Sequence, residues 1–193
     1  MRHGLKMFAV ILAVVTAAAC DSPKGTATRS VLAPRLDATS AGGYTFFTTD
    51  ATGNQTKTAV IDQTGGFIRF QGSVLVVPPN AVSGPTSFTF RLHVQPTMGA
   101  DLSAVAANGQ PVTVFPVPLK LTLSYARAKT QIPDPSKIVI LWVENGIVLG
   151  QLPSTPDVQG KKVTALVTHF TDYQPAVPGP CDPLTSPTPC EQP

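Results

Sequence analysis

The stretch TSFTFRLHVQ, residues 86 to 95, constrains the fold more than any other part of the chain. Phe88, Phe90, Leu92 and Val94 alternate with Thr89, Arg91, His93 and Gln95. Successive side chains of extended backbone point to opposite faces, so this alternation predicts a strand with one buried and one wet face. His93 then falls on the wet face beside Arg91 and reads as an exposed histidine. LKLTLSY (119–125) repeats the pattern, with Leu119, Leu121, Leu123 and Tyr125 inward. KIVILWV (137–143) is apolar on both faces, as a central strand is. GIVLGQL pairs with it through the tight turn Glu144-Asn145-Gly146.

The same texture runs through TFF, TKTAVI, GFIRF, SVLVVP and the final strand KKVTALVTHF: short apolar bursts set off by Gly, Asn, Asp and Pro. Twenty prolines and 15 glycines oppose helices, because proline lacks an N–H and clashes with the preceding turn. The 42% apolar residues suffice for a core. One helix candidate remains, DLSAVAANG (101–109), about two turns ending at Asn108-Gly109. Eight or nine strands with regularly spaced turns predict an all-β antiparallel sandwich.

The first twenty residues, MRHGLKMFAVILAVVTAAAC, stand apart. Arg2 and Lys6 precede an apolar run, Met7 to Ala19, of about 13 residues, too short to span a bilayer as a helix. Ala17, Ala18 and Ala19 then form a small-residue cleavage region, so residues 1–19 read as an export signal. Cys20 directly after them resembles a bacterial lipobox, with Ala17 where leucine is usual. That resemblance implies that Cys20 carries acyl chains, becomes the new N-terminus and anchors the protein to a membrane. An ordinary signal followed by a chance cysteine is the alternative.

Removal of Arg2 and Lys6 with the leader leaves 12 basic against 11 acidic residues, a net charge of +1. There is no basic run of five, so the phosphate-neutralising signal of nucleic-acid binding is absent. Residues 20–40, polar and proline-containing, read as the lipidated cysteine and a flexible tether. Near the C-terminus, Cys181 and Cys190 enclose eight residues, three of them proline. Outside the cytoplasm a disulfide closing this loop is expected. Too few cysteines and histidines lie nearby for zinc, and no Asp-x-Asp cluster suggests calcium.

GGFIRFQGSVLVVPPNAVSGPTSFTFRL resembles the opening half of the ZU-five domain family, the β-sandwich of zonula-occludens proteins and netrin receptors. Gly65 and Gly66, Val77 and Pro78, Ala81, and Phe88 to Leu92 occupy the motif positions. FPVPLKLTLSY and VTHFTDY resemble the family's later strand and its closing His-Phe-Ser-x-Tyr pattern. The likeness covers roughly residues 60 to 175 and implies a β-sandwich used as an interaction or scaffolding module. Some relatives cut their own backbone in the closing motif. Carried over, Thr171 Oγ attacks the Phe170 carbonyl in an N-to-O acyl shift, with His169 orienting it or taking the proton. Thr171 stands where the family has serine, and only 22 residues follow it. Without that chemistry, Phe170 seals the sandwich end, His169 bonds a carbonyl and Tyr173 caps a corner.

Other chemistry has less behind it. There is no Gly-x-Ser-x-Gly elbow, and Asp134 and Glu144 form a glycosidase pair only in principle. A carbohydrate-binding module needs exposed aromatic platforms, but Trp142, the one tryptophan, lies in the most apolar strand and reads as core. The expected organisation is a lipoprotein signal (1–19), lipidated cysteine and tether (20–40), a ZU-five-like sandwich (41–177) and a proline-rich tail (178–193). The expected protein is non-catalytic and lipid-anchored in the bacterial cell envelope, outside the cytoplasm. It binds a protein or glycan not identifiable from sequence, without cofactor or metal. Self-cleavage between Phe170 and Thr171 and glycan binding are the alternatives.

Overall fold

The computed structural model describes residues 40 to 179 apart from Gly42, Asp50, Gln95 and Pro96. The leader, Cys20, the segment up to residue 39, and the Cys181–Cys190 loop lie outside the described residues. The first strands are β1 (Ser40–Ala41), β2 (Tyr44–Phe46), β3 (Gln55–Ile61), β4 (Gly66–Phe70) and β5 (Ser73–Val77). Next come β6 (Thr86–His93), β7 (Gly99–Ala106) and β8 (Val114–Ser124). After a 3-10 turn at Pro135–Lys137 follow β9 (Val139–Glu144), β10 (Ile147–Leu152), β11 (Ser154–Asp157), β12 (Lys162–His169) and β13 (Asp172–Pro178). All pairings are antiparallel and form two sheets, so the all-β sandwich is what the chain builds. The strand count exceeds the expected eight or nine because short strands such as β1, β2 and β11 carry too little alternation to stand out.

The five-stranded sheet runs β11-β12-β8-β5-β4; in the eight-stranded sheet β3, β6, β7 and β13 are neighbours in that order. Between the sheets lies one apolar core. Phe88, Phe90, Ala100 and Leu102 from one sheet and Leu75, Leu119, Leu121 and Val163 from the other are all buried in it. Phe115 lies 5.9 Å from Phe88 and 4.5 Å from Phe170, so aromatic rings close one part of the layer.

β9 confirms the two-faced apolar reading. Ile140 belongs to the main core, while Leu141 and Val143 point the other way and pack with Tyr44, Phe46 and Ala176 in a second cluster. The β9–β10 hairpin turns at Asn145 and Gly146, with φ of 52° and 79°. Positive φ at both turn positions matches the twist of the flanking strands.

Two expectations are corrected here. Residues 101–109 are not helical; Gly99–Ala106 is strand β7, paired with β6 over eight residues. Leu102 and Ala104 are buried, while Asp101, Ser103 and Val105 face outward: a period of two. The alanines that suggested a helix fit as well on a sheet facing large phenylalanines. KKVTALVTHF is also not the last strand. DYQPAVP follows it as β13 and is central, with neighbours on both edges.

β13 contains a seam. One edge pairs with β9 from Asp172 to Ala176. The other edge meets β7 at Asp172 and Tyr173, then β2 from Ala176 to Pro178. Ile140 turns its N–H away from β13, to Ser154 Oγ at 2.9 Å. Its cross-strand partner Pro175 therefore sits at a non-hydrogen-bonded site of the β9 ladder and faces the gap between β7 and β2. A proline is tolerated there because no ladder needs its missing N–H.

Candidate functional site

A polar cluster occupies this seam. Arg91, Asp101 and Asp172 lie in one lateral row across β6, β7 and β13. Arg91 Nε donates to Asp101 Oδ2 at 2.7 Å, and its guanidinium also pairs with the same oxygen. His93, two residues along β6, has Nε2 2.7 Å from Asp172 Oδ1 and Nδ1 3.0 Å from the Thr97 carbonyl oxygen. Gln174 Nε2 donates to Asp172 Oδ2 at 2.7 Å, and Thr97 Oγ1 donates to Gln174 Oε1 at 2.8 Å. Gly99 backs the imidazole; a Cβ there would overlap His93 Nε2 and lie 2.9 Å from Gln174 Cγ.

His93 corrects the reading of an exposed histidine: it is only 9% exposed. Both ring nitrogens face pure acceptors, a carbonyl and a carboxylate. Only the imidazolium supplies a proton to each. Burial alone pushes the His93 pKa down, but the hydrogen bond and charge of Asp172 outweigh it and raise the pKa above the usual histidine value. Two carboxylates are then balanced by one guanidinium and one imidazolium.

This arrangement limits the chemistry. A histidine base in a triad turns one nitrogen to a carboxylate and the other to a nucleophile. Here the second nitrogen is held on a carbonyl, and the nearby Thr97 hydroxyl bonds Gln174 instead. His93 Nε2 and the carboxylates of Asp101 and Asp172 have the donor types of a metal centre, with ligand atoms within 4.8 Å of one another. Both cation positions are already filled, by Arg91 on Asp101 and by the His93 proton on Asp172. A divalent ion would have to displace both.

The residues of the VTHFTDY motif make different contacts. Phe170 packs on Phe115 and Phe88, and its N–H donates to the Thr113 carbonyl at 3.1 Å. The Thr171 hydroxyl donates to the Val143 carbonyl at 3.1 Å. Buried Tyr173 donates its hydroxyl to the His169 carbonyl, and burial raises its pKa. The His169 ring stands edge-on to Trp142, with centroids 4.3 Å apart, and desolvation lowers its pKa. Trp142 is half-buried against the main core; its Nε1 is buried over Gly150 and has no hydrogen-bond partner among the described residues.

The Asp134–Glu144 pair gains no support as acid and base. Asp134 caps the 3-10 turn, and hydrogen bonds from the hydroxyl and N–H of Ser136 hold its pKa below the usual range. A general acid needs the opposite shift. Asp172 and Gln174 were not anticipated as cluster members, although the alternation of Asp172, Gln174 and Ala176 against Tyr173, Pro175 and Val177 carries a strand signal. Among the described residues, no helix is long and apolar enough to cross a membrane. No protein-family model matches the chain, and no curated protein matches it.

Proposed function

We propose that this chain is a lipid-anchored, non-catalytic β-sandwich module of the bacterial cell envelope, used for binding or scaffolding. The observation that carries the non-catalytic part is the closure of the His93 cluster: both ring nitrogens and both Asp172 oxygens are occupied by neighbours within the domain. The lipobox-like leader ending at Cys20 supports the anchor. The ZU-five likeness, resting on the order of the sequence motifs, supports an interaction role. At the motif that self-cleaving relatives use, the Thr171 hydroxyl is engaged with Val143, and His169 packs on Trp142.

Intact mass of the detergent-extracted protein, with and without reductant, tests this reading. The expected species starts at Cys20, carries acyl mass, is two hydrogens short of its reduced form and runs unbroken to Pro193. A chain without acyl mass would remove the anchor. Two fragments divided between Phe170 and Thr171 would replace the reading with self-cleavage, and Thr171→Ala would then abolish them.

A further inference from the structure

We infer that the outer face of the five-stranded sheet is a membrane-contact surface for anionic phospholipid. This rests on the anchored reading above and names what the anchored domain touches. The register places Phe67, Val76, Lys120 and Leu166 in one lateral row across β4, β5, β8 and β12. Phe67 and Leu166 are 58% and 60% exposed, although outward strand positions are normally polar. With strands about 4.8 Å apart the row spans roughly 14 Å. The next row holds Arg69, Val74 and the mutually bonded Thr122 and Thr164.

Charge selects the occupant. Arg69 lies over the Phe67 ring, 4.9 Å from its centroid, and Lys120 stands in the apolar row. Neither row contains an acid. Of the acids at the margins, Asp62 accepts from Thr64, and Asp157, opposite Lys162 at the β11 edge, accepts from the Gly160 N–H. A second copy packed on this face would set cation against cation. An anionic lipid surface accepts both features, because cations pair with phosphates while apolar side chains enter the acyl boundary. Cys20 precedes Ser40 by 20 residues, a contour of up to about 70 Å, so an anchored chain can bring the sheet to the bilayer.

The test uses the full mature chain with Cys20→Ser, so that no acyl group contributes. Its co-sedimentation is measured with phosphatidylcholine vesicles and with phosphatidylcholine–phosphatidylglycerol vesicles. The expected result is salt-sensitive binding to the anionic vesicles only. It should weaken about fivefold in Lys120→Ala, one cation's worth, and fall to background in Phe67→Ser/Leu166→Ser. Circular dichroism verifies that these exposed-site variants stay folded. Equal binding to both vesicle types, or wild-type binding by the folded variants, would overturn the inference. So would retention on an immobilised polyanionic glycan without vesicle binding, or Phe67-dependent dimerisation in sedimentation. Absence of acyl mass on the native chain would remove the anchor and leave this vesicle result to stand or fall independently.

Discussion

The pH dependence of stability should peak near pH 6.5, with one histidine shaping each side. His93 has a folded pKa raised above its unfolded value. Its contribution is therefore complete below about pH 6.5 and is lost as pH rises through the folded pKa. His169 has a folded pKa lowered by desolvation, so its effect is the reverse: stability falls as pH drops below about 6.5, when the unfolded chain takes up a proton that the folded one resists. The His93–Asp172 bond is charge-assisted, with side chains only 10% and 24% exposed. Such a bond contributes about 1.5–3 kcal/mol. Asp172→Asn keeps the shape and removes the charge. Near pH 6 it should lower Tm by about 5–15 °C, taking about 3–5 °C per kcal/mol for a domain of this size. Above the folded pKa of His93 the gap should narrow, because His93 is then neutral in the wild type. His93→Gln should lose the alkaline decline but keep the acid one. Thermal melts at closely spaced pH values read all three. Wild-type stability that is flat or rising above pH 6.5, or an undiminished alkaline slope in His93→Gln, would refute the assignment of an imidazolium.

Two further substitutions probe the same architecture. Gly99→Ala places a methyl against His93 and Gln174; it should cost about 1–3 kcal/mol by overpacking, and denaturant titration should show a lowered midpoint with an unchanged slope. Phe170→Ala removes the ring packed on Phe88 and Phe115; because Phe170 is half-buried, a loss of about 2–4 kcal/mol is expected, and a loss below about 1 kcal/mol would show that the ring does not seal the sandwich.

The strands that sequence discloses are those whose two faces meet different media. β6 and β8 alternate because one face meets the core, and β9 reads as apolar on both sides because a second cluster lies behind it. Alternation assigns a face but does not say what covers it. That is why Arg91 was placed correctly and His93 was not: both point outward, but His93 lies beside Thr97 and Asp172. β7 was obscured by alanines, whose helix propensity competes with the pairing that decides the outcome. β13 was obscured by Pro175 and Pro178, which argue against a central strand unless a seam makes room for them. The cluster draws on β6, β7, β13 and the segment before β7, so no local spacing could assemble it.

The seam also explains why so polar a group of residues stands inside a sheet. Where β13 changes partner from β7 to β2, the regular ladder is interrupted, and backbone groups near the break need other partners. The Thr97 carbonyl accepts a hydrogen bond from His93 Nδ1–H, and Gln174 ties Thr97 to Asp172. Arg91 and the His93 imidazolium offset the charge of Asp101 and Asp172, so partial burial does not leave a carboxylate alone. Removal of one member therefore exposes the others to an unmet charge or hydrogen bond, and the effects of paired substitutions should be strongly non-additive. The ring nitrogens of His93, the carboxylate oxygens of Asp172 and the amide of Gln174 are thus engaged in joining strands. On the outer face of the five-stranded sheet, by contrast, Phe67 and Leu166 remain exposed beside cations. Internal hydrogen bonding accounts for the first set of residues, whereas the exposed apolar side chains and cations of the second are the features on which the proposed lipid contact rests.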